Sequence, residues 1–318
     1  MTTIKNAMRT TLVVLTLLCL PPVALAQGWE TVDFYIAEDI TGIDFLGPDT
    51  AFLVTSGGTI ARTFDAGVTW QARVLEADIP LEDIEFADSN HGFVCGRNGR
   101  FFMSNDGGLT WQNYSLGDTT DWLLSIEMID ARTGVMVGMK RKEFNLPEGY
   151  TLRTTNGGRS WDEQKSRGAG YGELFNLDNR ILYFPSYGRL QGSLDQGKTW
   201  SDTKIDLPKP GREVAIMDRT GLLVGNLGLC AYSTDAGLTW TEVTLDTQAH
   251  LTSVLLLTPQ VGCIAGHEGV IMFTRDGGKT WERDAVDKMF DIYDLVEVGD
   301  WLYAVGSEGN IIRKRIRQ

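Results

Sequence analysis

Asp44 in TGIDF, Glu85 in LEDIEF and Glu127 in LSIEM hold matching places in three similar apolar segments. Two carboxylates at a suitable separation can hydrolyse a glycoside, one as acid and the other as base or nucleophile. The same pattern arises without chemistry if the acids line a shared passage, and a solvated acidic wall is the expectation. His91, His250 and His267 fall in three separate turns, with no metal-ligand spacing between them. SNDGG and TRDGG open like calcium loops but lack the alternating acidic ligands and the closing glutamate. No Gly-x-Ser-x-Gly elbow and no phosphate-binding loop occurs. These residues predict a protein that is not an enzyme, with no cofactor and no bound metal.

One cluster points to binding instead. Lys140, Arg141 and Lys142 stand side by side, followed by Phe144, in GMKRKEFNLPEGY. An ordinary solvated hairpin accounts for such a stretch. Against the acidity of the whole chain, which carries 42 acidic and 29 basic residues, it is a local exception and the candidate partner-binding site. So negative a surface repels nucleic acid and anionic lipid, leaving protein as the expected partner.

The N-terminal residues set the compartment. Lys5 and Arg9 precede an apolar run from Thr11 to Leu20, and Ala24-Leu25-Ala26 offers a cleavage site. This reads as a signal peptide over residues 1–26, removed near Ala26 to release a periplasmic or secreted protein. Lys5 and Arg9 leave with it and no acid does, so the formal charge of −13 becomes two units more negative. Contact with a membrane is then expected only through a partner, and the protein is expected to be a monomer. Cys95, Cys230 and Cys263 lie in apolar strand patterns and are expected as buried thiols; a Cys230–Cys263 bridge is the alternative.

The elements that position these residues repeat. TFDAGVTW, SNDGGLTW, TTNGGRSW, SLDQGKTW, STDAGLTW and TRDGGKTW all fit Ser/Thr-x-Asp/Asn-x-Gly-x-Thr/Ser-Trp. A glycine lies five residues before each, at spacings of 41, 50, 39, 40 and 41. Between them run short alternating apolar segments broken by Gly, Asp, Asn and Pro, four strands per unit. A seventh unit is split: GNIIRKRIRQ supplies its third strand, and GWETVDF at the other end matches the stretch around each motif tryptophan. The prediction is an all-β, seven-bladed β-propeller over residues 27–318, its last blade closed by the N-terminal strand with Trp29 in the seventh tryptophan place.

The motif residues are expected to serve the fold. Asp65, Asp106, Asn156, Asp195, Asp235 and Asp276 should accept N–H bonds within their own turns. Trp70, Trp111, Trp161, Trp200, Trp240 and Trp281 should fill the gaps between blades.

At these residues the sequence resembles the Asp-box, or bacterial neuraminidase, repeats. The fuller string GVIMFTRDGGKTW, from Gly269 to Trp281, is most similar to the photosystem II stability/assembly factor family. That resemblance implies a non-enzymatic propeller that assists assembly of a membrane or envelope complex. The family's cyanobacterial proteins have a basic patch and a lipid-anchor cysteine, whereas this chain is acidic and has no lipobox. The alternative is a sialidase-like or glycan-binding propeller. Sialidases require an arginine triad opened by Arg-Ile-Pro, and no Arg-x-Pro occurs here.

The spacing of 50 belongs to the third blade, and its excess falls in the loop from Gly138 to Tyr150. In a propeller that loop lies opposite the motif turns, with the links between blades, where ligands bind. Trp122 and Tyr171 in the flanking links are expected either as exposed aromatics or as core.

Overall fold

The computed structural model describes residues 28–317 apart from 117, 118, 120, 143, 144, 166–173, 178, 179, 187, 188, 206 and 208. Residues 1–26, expected as a signal peptide, and Phe144 and Tyr171 lie outside the described residues. Among the described residues seven antiparallel sheets of four strands form, six of them with their strands in sequence order. Blade 1, for example, comprises Ile40–Phe45, Ala51–Thr55, Thr59–Thr63 and Gln71–Val74. The second strands are buried throughout in blades 1, 2 and 6, because sheets cover both of their faces.

The last blade departs from sequence order as predicted. Ile292–Val298, Trp301–Gly306 and Ile311–Arg315 are joined by Glu30–Thr31, which pairs with the third strand as Glu30↔Arg313 and Thr31↔Ile312. The ladder groups from Ile311 to Arg313 are thereby covered on both sides.

The core is divided among the seams. Seven apolar clusters form, each between two neighbouring blades and each with one motif tryptophan at its edge. Trp29 takes that place in the seam between blades 6 and 7. Its indole N–H donates to Asp284 Oδ2 at 2.9 Å. The same oxygen accepts from the buried Lys314 ammonium at 2.6 Å. Cys95, Cys230 and Cys263 are free, buried thiols.

The motif turns work differently from expectation in one respect. In the fifth blade the buried Gly237 N–H donates to Ser233 Oγ at 2.9 Å, not to the acid. Asp235 accepts the exposed Thr239 N–H and hydroxyl at 2.9 and 2.6 Å, and the Ser233 hydroxyl at 2.8 Å. The hydroxyl therefore satisfies the buried donor, and the carboxylate orients the hydroxyl from solvent. Gly237 sits at φ 79°, where an added Cβ would meet Ile216 at 2.9 Å.

Arginines join some motif turns to the preceding blade. Arg153, Arg180 and Arg313 donate to the Gln196, Ala236 and Ala66 carbonyls at 2.7, 2.6 and 3.3 Å. Each carbonyl occupies the fourth place of its motif.

Candidate partner-binding face

The turns between second and third strands and the links between blades share one face, opposite the motif turns. Its centre is shaped by a repeated irregularity. The first strand of six blades carries a bulge, placing Thr41, Glu82, Leu124, Arg212, Thr252 and Tyr293 out of register. A bulge re-aims one side chain without ending the strand. Here all six extra residues line a cavity of about 380 Å³ at the mouth of the central channel. Thr41 and Thr252 also tie their blades to the next by donating to the Leu81 and Ile292 carbonyls at 2.7 and 2.6 Å.

The rim combines aromatic and cationic groups. Glu82 accepts from Arg97 Nε at 2.5 Å, and burial still raises its pKa despite that bond. The Arg97 guanidinium lies 4.2 Å from the centre of the Trp122 ring, and that of Arg141 lies 4.8 Å from it. Trp122 is half-buried, so it is neither a free aromatic nor core.

The long third-blade loop is built on the pair Gly134–Lys142 and Asn145–Thr154, whose register shifts between Lys140 and Lys142. Strand alternation divides its three cations. Lys140 pairs with Glu163 at 2.9 Å and lies 5.0 Å from the Tyr150 ring centre. Lys142 pairs with Glu148 at 2.6 Å. Arg141 points to the other side, onto Trp122. The cluster of three adjacent cations is therefore two internally paired lysines and one arginine at the funnel rim.

Two of the histidines meet although they come from separate turns. His250 and His267 meet at the rim, ring centres 5.4 Å apart, and Tyr293 follows at 6.0 Å from His267. The hairpin register Leu251↔Gly266 brings them together across one blade. Burial lowers the His267 pKa, and Arg212 and His250 add to the fall while Asp291 opposes it. Among the described residues no three His, Cys, Asp or Glu side chains converge in a way that could hold a metal ion.

The channel beneath holds the three acids found in the sequence and three more, Asp83, Glu213 and Asp294. All six are half-buried along this wall. Burial raises the pKa of Asp44, takes Asp83 and Glu127 to about 7, Glu213 to about 8 and Asp294 to about 6, and lifts Glu85 well above its ordinary range. Four of them reach the first strand of the next blade. Asp44 accepts from Phe86 N at 2.7 Å, Asp83 from Ile126 N at 2.9 Å and Glu213 from Val254 N at 2.8 Å; Asp294 accepts from Ile43. Ser125 and Ser253 do the same for Leu174 and Leu295, at 3.2 and 3.1 Å. These bonds make the acids latches of the inner ring. Sequence matching found Asp44, Glu85 and Glu127 but not the second set, because their alignment depends on the bulges.

Seven four-stranded blades, a strand from the N-terminal end closing the last, and a cavity ringed by loops define a seven-bladed β-propeller with a recessed loop face. Within that class, the chain belongs to the family described as Photosynthesis system II assembly factor YCF48, which matches residues 74–173 and 192–292. Among curated relatives, the "Photosystem II assembly lipoprotein Ycf48" of Synechococcus sp. (strain CC9902) is 29% identical over 47% of this chain and 44% of that protein. The "Photosystem II assembly protein Ycf48" of Thermosynechococcus vestitus is 26% identical over 61% of this chain and 56% of that protein. The chain thus spans about half the length of the curated relatives it matches. A solved structure titled "YCF48 bound to D1 peptide" superimposes with a TM-score of 0.76 at 20% identity, over 92% of this chain and 99% of that one.

Proposed function

We propose that this protein is an exported, non-enzymatic assembly or stability factor that holds a segment of a membrane- or envelope-complex protein on its funnel face. Family membership carries the reading. The relatives are named as photosystem II assembly proteins, and one solved relative has a D1 peptide bound. The face described above suits an extended protein segment: it offers a recess, an arginine-flanked Trp122 and a projecting hairpin. Arg141 and Phe144 are the hairpin residues expected to meet the partner first, with Lys140 and Lys142 exchanging their internal pairs for the partner's acids. The sialidase-like alternative gains no support from these relatives, which are named as photosystem II assembly proteins.

The test is capture from envelope extract on immobilised protein, followed by binding kinetics on the protein recovered. Rim charges act mainly on association and salt dependence, and buried aromatic anchors on dissociation. Arg141→Glu should slow capture and flatten its salt dependence, and Phe144→Ala should shorten the lifetime of the complex. Capture that survives replacement of residues 140–148 by a short turn would place the partner elsewhere.

A further inference from the structure

A second recess lies away from the funnel, between the outer strands of blade 1 and the motif turn of blade 2. It encloses about 190 Å³. Phe52 and Ile60 of blade 1 and Trp111 of blade 2 give it an apolar floor. Phe64, 50% exposed, packs edge-on to Phe52, and Leu109 at the rim is 53% exposed.

Two arginines overhang this floor. The ladder pairs Ile60↔Arg73 and Arg62↔Gln71 set both side chains on the same face as Ile60. Arg62 holds the register place that Arg153 and Arg313 hold in their blades, yet its bond to the next motif turn is at the limit of contact. It reaches the Gly108 carbonyl at 3.5 Å, not the fourth-place carbonyl that the others reach. Among the described residues Arg73 has no hydrogen bond or ion pair. Burial lowers its pKa, and Arg62 lowers it further. Asp106 is the acid acting on Arg73, but its oxygens already accept from Ser104 and Thr110. Two cations thus stand together over an apolar recess on a strongly acidic protein, with no ion pair to either among the described residues, and Arg62 also donates to the neutral Gln71 Oε1 at 3.2 Å.

We infer that this recess binds a protein segment presenting an apolar side chain beside a carboxylate. The apolar group enters between Phe52 and Trp111, and the carboxylate bridges Arg62 and Arg73. The complementary charge favours a peptide acid. The enclosed floor favours one inserted side chain over a flat lipid surface. This site is separate from the funnel and does not depend on the partner reading given for it.

The probes are acetyl-Phe-Glu-amide and acetyl-Phe-Lys-amide, titrated against uniformly ¹⁵N-labelled protein. The readout is the Trp111 indole N–H resonance, assigned with Trp111→Phe. The Glu peptide should shift it saturably, and the Lys peptide should bind about tenfold more weakly, as expected for loss of one charge-assisted hydrogen bond. Arg73→Glu should weaken the Glu peptide at least as much at an unchanged melting temperature, since Arg73 anchors nothing in the fold. Equal shifts from the two peptides, or an unchanged titration in Arg73→Glu, would overturn the inference. So would Arg73-dependent binding to phosphatidylglycerol vesicles with no response to either peptide, which would assign the surface to lipid.

Discussion

Replacing Asp284 by Asn should loosen the closure of the ring. Asp284 Oδ2 is the meeting point of the Trp29 indole and the Lys314 ammonium, and the Lys314 side chain is only 6% exposed. Removing one member of a buried ion pair leaves an uncompensated charge and costs about 3–5 kcal/mol. Asp284 is itself 23% exposed, so water can reach the site and the lower end applies, about 3 kcal/mol. For a domain of this size each kcal/mol moves the melting temperature by about 2 °C, giving a fall of about 6 °C. Calorimetry measures it, and amide exchange should locate the loss in Ile311–Arg315. Lys314→Met on the same background should recover part of the loss, because the buried charge is gone. Removal of residues 27–34 should cost at least as much as Asp284→Asn. An Asp284→Asn protein within about 0.5 kcal/mol of wild type, the range of an ordinary surface change, would refute the reasoning. So would a double variant as unstable as the sum of the two single ones.

Three further outcomes are expected. Ser233→Ala should cost about 1–3 kcal/mol by orphaning the buried Gly237 N–H, and Asp235→Ala should cost less because its carboxylate is exposed; urea unfolding giving the reverse order would return the structural role to the acid. Glu213, at about 8, binds its proton more tightly folded than unfolded, so its contribution to stability should fall as pH rises from about 4.5 to about 8. Glu213→Gln should flatten melting temperatures across that window; the exposed motif acids Asp195 and Asp235, held near 2, act oppositely and lose their contribution only as the pH falls toward 2. Sialosides and aryl glycosides should not be turned over above a denatured control, and activity abolished by Glu85→Gln or Glu127→Gln would make the channel acids catalytic.

The repeats made the ring legible because each motif is a local device: a turn, a glycine at positive φ and a tryptophan at the seam. Trp29 could be assigned for the same reason, since GWETVDF carries the pattern without its turn. Residues whose roles cross a seam were harder to read. Asp83 and Glu213 look like solvated strand acids until the bulge at Glu82 or Arg212 aligns them with the next blade's N–H groups. Lys140, Arg141 and Lys142 looked like one cluster, although strand alternation alone separates Arg141 from the other two. The meeting of His250 and His267 was available in principle, because both flank one hairpin whose ends must lie together. Spacing rules for metal ligands do not test for such a contact.

The closing strand also constrains the order of folding. Glu30 and its partner Arg313 stand 283 residues apart, so an early strand pairs with a late one. Trp29 and the edge of Glu30–Thr31 gain their seam only when blade 7 forms, whereas blades 1 to 6 assemble from contacts about forty residues apart. Loop closure grows only logarithmically with length, so the final pairing costs about 2 kcal/mol more than closing one blade. That modest difference is within reach of one buried indole and one buried ion pair. Whether the ring shuts therefore rests on the meeting of Glu30–Thr31 with Ile311–Arg315.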